Sequence, residues 1–312
     1  MGKINSNNSN SGNIIYKRKT TPLKQYDFTY WSSPVANATL SQLATNAAFY
    51  SFSSIINNWA AVLGTASMTP GMGYIGRAPS GLTYNPTQMV TTNFVGVPNN
   101  GDITVSVIKS TSPSNLIGNP YPSALNADLF LSNALNSGIL DPTIYLWTHN
   151  TAVTGNNYSS SDYAVYNYLG GTGTTAAPSG TTGGFNNNVP NGKIASGQSF
   201  FIKGLAAGNA TFLNSMRVVS NNNQFFKMSQ TSNNGNDQNH RIWLDVKNEQ
   251  SDYKQTLIGY STNATNKLDR GYDAEIINSE SSVSLYSIAE NTLLSIQGRS
   301  MPFNDSDEVD LG

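Results

Sequence analysis

The chain has no cysteine, little charge and no long apolar run, and each absence removes a class of explanation. Without cysteine neither disulfides nor thiolate metal sites are available. Charged residues make up 11% of the 312, against roughly 25% in an ordinary globular domain. No apolar run approaches the roughly 20 residues of a membrane-spanning helix, so no membrane span is expected. Glutamate is missing before Glu249, which leaves Asp27, Asp102, Asp128, Asp141, Asp162 and Asp237 as the carboxylates of the long N-terminal part. They are dispersed, and a glycosidase needs two flanking one bond. They read instead as turn and cap residues, Asp141 before Pro142 being one such turn.

Other catalytic patterns are missing too. His149 and His240 lie far apart with no HExxH motif, and a metal site needs several convergent ligands. No G-x-S-x-G elbow occurs, and Ser199 in GQSFF reads as a strand residue. The glycines of LGGTGT lack the lysine and helix of a phosphate cradle. No enzyme activity and no cofactor follow from these residues. The cation the sequence leaves room for is a structural calcium, with oxygens from NNGNDQN or from Asp141-Pro142-Thr143. The basic cluster Lys17-Arg18-Lys19 with Lys24 is too small for a nucleic-acid surface in a chain of net charge −1. It reads as an exposed edge strand, where lysine discourages edge-to-edge pairing.

What the chain does contain is amide, hydroxyl and ring. Asparagine supplies 41 residues and aromatics 10%, a composition unlike disorder and suited to a neutral β-rich exterior. Short apolar runs alternate with Gly, Pro and Asn: IIYKRKT, YDFTYW, AFYSF, GYIGRA, NFVGV, ITVSVIK. That spacing predicts an all-β sandwich or barrel. A helix is expected over 125–136, capped by Asn126, with Leu125, Leu129 and Phe130 facing the core. A weaker helical turn is expected near 40–47.

Two parts of this region echo each other. Tyr30-Trp31-Ser32-Ser33-Pro34-Val35 parallels Leu116-Ile117-Gly118-Asn119-Pro120-Tyr121, and Tyr50-Ser51-Phe52 parallels Tyr145-Leu146-Trp147. Gly71-Met72-Gly73-Tyr74-Ile75 parallels Gly197-Gln198-Ser199-Phe200-Phe201, and Thr92-Asn93-Phe94-Val95 parallels Ala210-Thr211-Phe212-Leu213. The order is kept while the offset widens around an insertion, which predicts a duplicated β-sandwich.

Charge marks the boundary. Residues 1–240 hold 11 Lys/Arg against six Asp, and 241–312 hold six against 12 Asp/Glu. The organisation expected is a lead-in over 1–13, a duplicated sandwich over 14–228 with a long loop at 150–192, a linker at 229–239, and a second β-domain over 240–312. In the last, Ile242, Leu244 and Val246 alternate with Trp243, Asp245 and Lys247 as a half-buried strand would. Its few strands read as a smaller antiparallel domain, truncated or packed on the first. The opening MGKINSNNSNSGN has no apolar core and is not read as a signal peptide.

The words NLIGNPYPSALNADLFL, IYLWTHNT, SSSDYAVYNYLGGTG, NGKIASGQSFFIKG and ATFLNSMRV form one continuous set. YKRKTTPLKQYDFTYWSSPV precedes them, and RIWLDVKNEQSDYKQTLIGYSTNATNKLDRGYDAE and LSIQGRSMPF follow. In this order they resemble a β-rich region near the C-terminal ends of large surface and secreted proteins of gliding Bacteroidota. Those proteins are cargo of the type IX secretion system. The resemblance implies a secreted or cell-surface protein, the secretion machinery as partner, and a further β-segment and sorting domain in full-length members.

For a ligand, the suggestive residues are aromatic. Trp31, Tyr121, Trp147, Tyr158, Tyr163, Tyr166 and Tyr168 accompany Asn, Ser and His149, and flat rings beside amides and hydroxyls bind sugars. Trp31, Tyr121 and Trp147 equally suit a sandwich core. The candidate ligand residues are therefore Trp147, His149, Tyr163 and Tyr166, with surface glycans as partner. The function expected is a structural or adhesion module, with a carbohydrate-binding module of a secreted polysaccharide-degrading enzyme as the alternative. A trimeric fibre protein is a third class, resting on composition.

Overall fold

Turn chemistry every few residues keeps the strands short, and the computed structural model bears out the all-β expectation. It describes residues 9–85, 87–148, 158, 162–174, 189–219, 222, 240–249, 253–277 and 283–312. In chain order the strands are β1 (Ile14–Lys19), β2 (Phe28–Trp31), β3 (Phe49–Ser53), β4 (Asn58–Val62), β5 (Tyr74–Arg77), β6 (Thr91–Gly96), β7 (Ile103–Val107) and β8 (Ser114–Gly118). Then come β9 (Ala124–Asn126), helix α1 (Ala127–Leu131), β10 (Leu140–Trp147), β11 (Tyr163–Asn167), β12 (Gly170–Thr172), β13 (Lys193–Ile194), β14 (Ser199–Gly204), β15 (Gly208–Phe212) and β16 (Arg217–Val218). The last are β17 (His240–Lys247), β18 (Tyr253–Ser261), β19 (Ala274–Glu275), β20 (Ser287–Ala289), β21 (Thr292–Ser300) and β22 (Asp310–Leu311). Among the described residues no helix is long and apolar enough to cross a membrane.

The chain divides into two compact units, Met1–Trp147 with Lys193–Lys227, and Thr148–Gly192 with Met228–Gly312. The first is the duplication. β2, β5, β3 and β4 are neighbours in that order, and so are β8, β14 and β10. The registers coincide residue for residue. The row Tyr30–Ile75–Tyr50 in one sheet matches Leu116–Phe201–Tyr145 in the other. β1 pairs with β6 as β7 pairs with β15, placing Tyr16 against Phe94 and Ile103 against Phe212. The helical turn Leu40–Gln42 occupies in the first copy the place of α1 in the second.

The copies exchange backbone contacts in a reciprocal way. Ser32 N–H donates to Gly197 O at 2.8 Å, and Gly118 N–H donates to Gly71 O at 2.9 Å. The matching bridges are Trp31 with Gln198 and Met72 with Ile117. Each copy thus lends its glycine turn to the other's first strand. The backbones come so close there that a Cβ on Gly118 would sit 2.6 Å from Ser32 Cβ and 2.7 Å from Gln198 O.

Each copy has its own apolar core. Trp31, Val35, Leu40, Leu43, Phe49, Met68, Tyr74 and Phe94 fill the first. In the second Phe130 stacks on Phe212 at 4.6 Å and meets Phe200 edge-on at 6.1 Å. Buried asparagines tie the loops around these cores. Asn119 donates to the carbonyls of Ser123, Ile194 and Ala195 and accepts from Tyr121 N–H. Asn136 donates to Phe130 O and Thr211 O and accepts from Thr211 N–H. Each amide satisfies several backbone groups that burial would otherwise leave orphaned, without burying a charge.

Four local expectations change. The helix ends at Leu131, and Asn126 caps it by accepting from the N–H groups of Asp128 and Leu129. Leu129 is 48% exposed rather than core-facing, because a helix of barely more than one turn buries a narrow stripe. Arg18 does not decorate an exposed edge: it is buried and donates to Asn222 O. Burial pushes its pKa below the usual guanidinium range, against the pull of Tyr16. Asp141 and Pro142 lie inside β10, where the register against β14 shifts between Leu140 and Ile144; an irregularity of that kind is where a strand accepts proline.

In the second unit β17, β18, β21, β20 and β22 form a sheet, with β19 also on β21. It is antiparallel except for β18–β21, which is parallel. β17 is more exposed than simple alternation predicts, with both Ile242 and Trp243 in solvent. The segment 150–192, expected as a loop, contributes the hairpin β11–β12, in register from Val165↔Thr172 to Asn167↔Gly170. This hairpin packs on the sheet: Arg241 donates to Leu169 O and Trp243 Nε1 donates to Gly171 O. A Cβ on Gly259 would lie 3.1 Å from Leu169.

Two carboxylates of this unit titrate in opposite senses. Burial raises Asp273 from its ordinary 3.8 to about 6, although N–H donors from Asp269 and Gly298 oppose the rise. Hydrogen bonds from Arg299 hold Asp307 below the usual carboxylate range. Asp273 binds its proton more tightly folded than unfolded, so its contribution is full below its unfolded pKa of about 4 and is lost as pH rises through about 6. The contribution of Asp307 runs the other way and is lost as pH falls below the usual carboxylate range.

Two measurements follow. Gly118→Ala is expected to cost at least about 2 kcal/mol, seen as a lower denaturant midpoint by tryptophan fluorescence. Gly138→Ala, where an added Cβ meets nothing within 4 Å, is expected to stay within about 0.5 kcal/mol of the parent. Thermal unfolding followed across pH 4 to 7 is expected to show a Tm that declines through about pH 6, and Asp273→Asn is expected to flatten that decline.

Candidate functional site

Strand alternation gives the β2–β5–β3–β4 sheet two faces. Trp31 and Phe49 point into the first core. Tyr30, Phe52 and Trp59 meet Phe201 of β14 and Trp147 of β10 on the other side. Tyr30 stacks on Trp147 with centroids 5.5 Å apart and rings 16° from parallel. Phe52 meets Phe201 edge-on at 4.8 Å and Trp59 at 5.3 Å, and Trp59 meets Phe201 at 5.8 Å. Tyr30 is buried, whereas Phe52, Trp59, Trp147 and Phe201 are half-buried. This layer is the largest aromatic grouping that keeps ring surface in contact with solvent among the described residues.

Amides and hydroxyls border it at the β3–β4 turn. Ser112 Oγ donates to Asn57 Oδ1 at 2.6 Å, Ser54 Oγ donates to Asn115 Oδ1 at 3.1 Å, and Ser110 Oγ donates to Ser54 O at 2.7 Å. Apolar ring faces with a hydroxyl and amide border can hold a sugar ring by its C–H face. Of the five rings Tyr30 alone carries a titratable group, and the border is amide and hydroxyl, so what the arrangement offers is contact surface.

The four candidate ligand residues take different places. Trp147 belongs to this layer. His149 lies outside the described residues. Tyr163 and Tyr166 are both on β11 but three residues apart, which puts them on opposite faces. Tyr166 is buried against Gly192, where a Cβ would come 2.3 Å from the tyrosine oxygen. Tyr163, with Val165, Thr174, Lys254, Gln255 and Ser295, lines a cavity of about 60 Å³ in the second unit. A cavity of about 150 Å³ takes benzene, so this one has room for a few waters and none for a sugar ring. Trp31 and Tyr121 are core residues.

Tyr121 and Arg217 form a buried pair. The guanidinium lies 5.0 Å from the ring centroid and donates to Ser123 Oγ, Asn100 Oδ1 and Asn214 Oδ1. The tyrosine hydroxyl donates to Gly101 O and Phe212 O. Burial pushes the tyrosine pKa above and the arginine pKa below their ordinary ranges, while each group pulls the other the opposite way. Held between neutral oxygens and a ring, this arginine braces loops 99–102 and 213–217.

The carboxylates stay dispersed. Asp27 closes its own turn by accepting from Lys24 N–H at 2.7 Å, and Asp128 sits in the first turn of α1. Among the described residues no group of three or more His, Cys, Asp or Glu could hold a metal ion. The NNGNDQN segment lies outside the described residues.

Sequence reasoning overlooked Phe52, Trp59, Phe201 and Tyr30 as one grouping. The signal was there in weak form: Trp59 follows Phe52 across a four-residue turn, and the register Phe52↔Trp59 makes them cross-strand neighbours.

No curated protein and no solved structure matches the chain. A family model does match, over residues 3–312 and hence through both units, and the chain belongs to that family, DUF8693, a domain of unknown function.

Proposed function

We propose that the protein is a non-enzymatic structural and adhesion module, displayed on the cell surface or secreted as type IX secretion cargo. The observation that carries this reading is where the buried polar groups go. Asn99, Asn115, Asn119, Asn136 and Arg217 all spend their hydrogen bonds on the protein's own loops and strands. Chemistry that an enzyme would direct at a substrate is directed here at rigidity. The resemblance of the chain's words to surface proteins of gliding bacteria supports export, and the neutral, amide-rich exterior suits a surface exposed to medium.

A second reading has one observation in its favour. The half-buried layer of Phe52, Trp59, Trp147 and Phe201, bordered by Asn57 and Ser112, has the chemistry of a sugar platform. That would make the chain a carbohydrate-binding module serving a catalytic domain elsewhere.

The two readings separate in a glycan array run with the intact chain, combined with hydrolysis assays on polysaccharide and protein polymers. The structural reading expects no hydrolysis, and it expects an impermeant protease to remove the protein from intact cells that make it. Hydrolysis of any polymer by the pure chain overturns it. Saturable glycan binding that Trp59→Ala and Trp147→Ala each weaken at least about tenfold, a loss of about 1.4 kcal/mol, with folding retained, establishes the second reading instead.

A further inference from the structure

A strand at the edge of a sheet presents unpaired N–H and C=O groups, and proteins that stay apart blunt such edges with charge, proline or bulges. Two exposed edges of this molecule are blunted in that way. β1 carries Lys17 and Lys19, and β17 carries His240, Arg241, Asp245 and Lys247. β4 is not. It ends the order β2–β5–β3–β4, and among the described residues β3 is the strand it pairs with. Its sequence NWAAV has no charge and no proline, and its register against β3 runs unbroken from Phe49↔Val62 to Ser53↔Asn58. The absence of charge extends far on both sides: residues 28–76 contain no Asp, Glu, Lys, Arg or His.

The strand is also flanked by exposed apolar side chains. Ile55 and Ile56 at its entrance are 70% and 66% exposed, and Leu63 at its exit is 77% exposed. Solvated apolar residues at both ends of an unblunted edge are costly unless something covers them.

We propose that β4 is a homotypic docking edge, to which a second copy of this chain adds its own β4 antiparallel across a twofold axis. The two four-stranded sheets then become one continuous sheet. The segment is complementary to itself in that orientation. Reversed upon itself about Ala60, it places Ala60 opposite its own copy at the axis and Ala61 opposite Trp59, and sets Leu63 of one copy beside the Ile56–Asn57 end of the other. Both apolar flanks are covered by the same operation, as an isologous contact requires. An uncharged strand meets no like charge when it pairs with its own copy, whereas β1 or β17 would place like charges across the axis. This inference rests on the edge alone and is independent of the adhesion reading.

Sedimentation of the intact chain across the micromolar range is expected to show reversible dimers. Ala61→Lys, at an exposed position, is expected to leave a monomer with unchanged circular dichroism and Tm. Because the chain has no cysteine, Ala60→Cys offers a second readout. Facing Cα atoms in an antiparallel pair lie about 4.5–5.5 Å apart, within disulfide reach, so mild oxidation is expected to give a covalent dimer. Ile15→Cys on the charged edge β1 is expected not to. A chain that stays monomeric and gives no cross-link overturns the proposal and leaves β4 to a strand of another protein. A dimer that survives Ala61→Lys, or cross-linking that is equal for the two cysteine variants, overturns it as well.

Discussion

The first unit is closed by backbone hydrogen bonds that the copies of the repeat exchange, among them Ser32 to Gly197, Gly118 to Gly71 and Gly73 to Leu116. Each is a short donor–acceptor pair worth about 1 kcal/mol on its own. Their importance lies in what they require. Backbones can approach this closely only where side chains are absent or tiny, which explains Ser32 and Gly118 at the crossing, while Gly71 and Gly197 hold positive φ in the turns that meet them. Once the crossing forms, Trp31 and Ile117 are fixed in register, and with them the two cores on either side. Each first strand pairs with β5 or β14 of its own copy and is tied at its end to the other copy by that copy's turn.

The second theme is the replacement of charge by amide. In a sandwich with many short connections, numerous backbone groups end up buried outside the sheets. A carboxylate or ammonium could satisfy them only at a large desolvation cost. An asparagine supplies two donors and an acceptor at no such cost; Asn99, Asn115, Asn119 and Asn136 each satisfy several groups, Asn115 in its own neighbourhood and the other three across to segments distant in sequence as well. The abundance of asparagine is therefore partly an interior property. Arg217 is the exception that shows the cost, since it needs three neutral oxygens and an aromatic face to stay buried.

The duplication was legible because Ser32-Ser33-Pro34 and Gly118-Asn119-Pro120, and the two glycine turns, are constrained by the crossing and so keep their pattern. Asn126 was legible as a cap because its chemistry is local. Arg18 and Leu129 were misread because their burial depends on partners far along the chain, Asn222 in one case, and on how soon a helix stops in the other. Asp141-Pro142 looks like a turn locally and becomes a strand irregularity only against β14. Of the aromatic layer, Trp147 stood out because it sits in an unusual word. Trp59 and Phe201 did not, since nothing in a single sequence says which face of which strand meets which.

The interleaving of the two units bears on the order in which the chain can acquire structure. β13 to β16 complete the first unit, yet they follow the hairpin β11–β12 that belongs to the second. A chain emerging from its N-terminus carries β2 to β10 without Gly197 and Gln198, so the crossing cannot close until the segment after the hairpin arrives. The hairpin in turn waits for β17 and β18, seventy or so residues further on. Neither unit matures ahead of the other in the usual N-to-C succession. Long-range closure of this kind is slow, and the chain stays open until nearly all of it has been made.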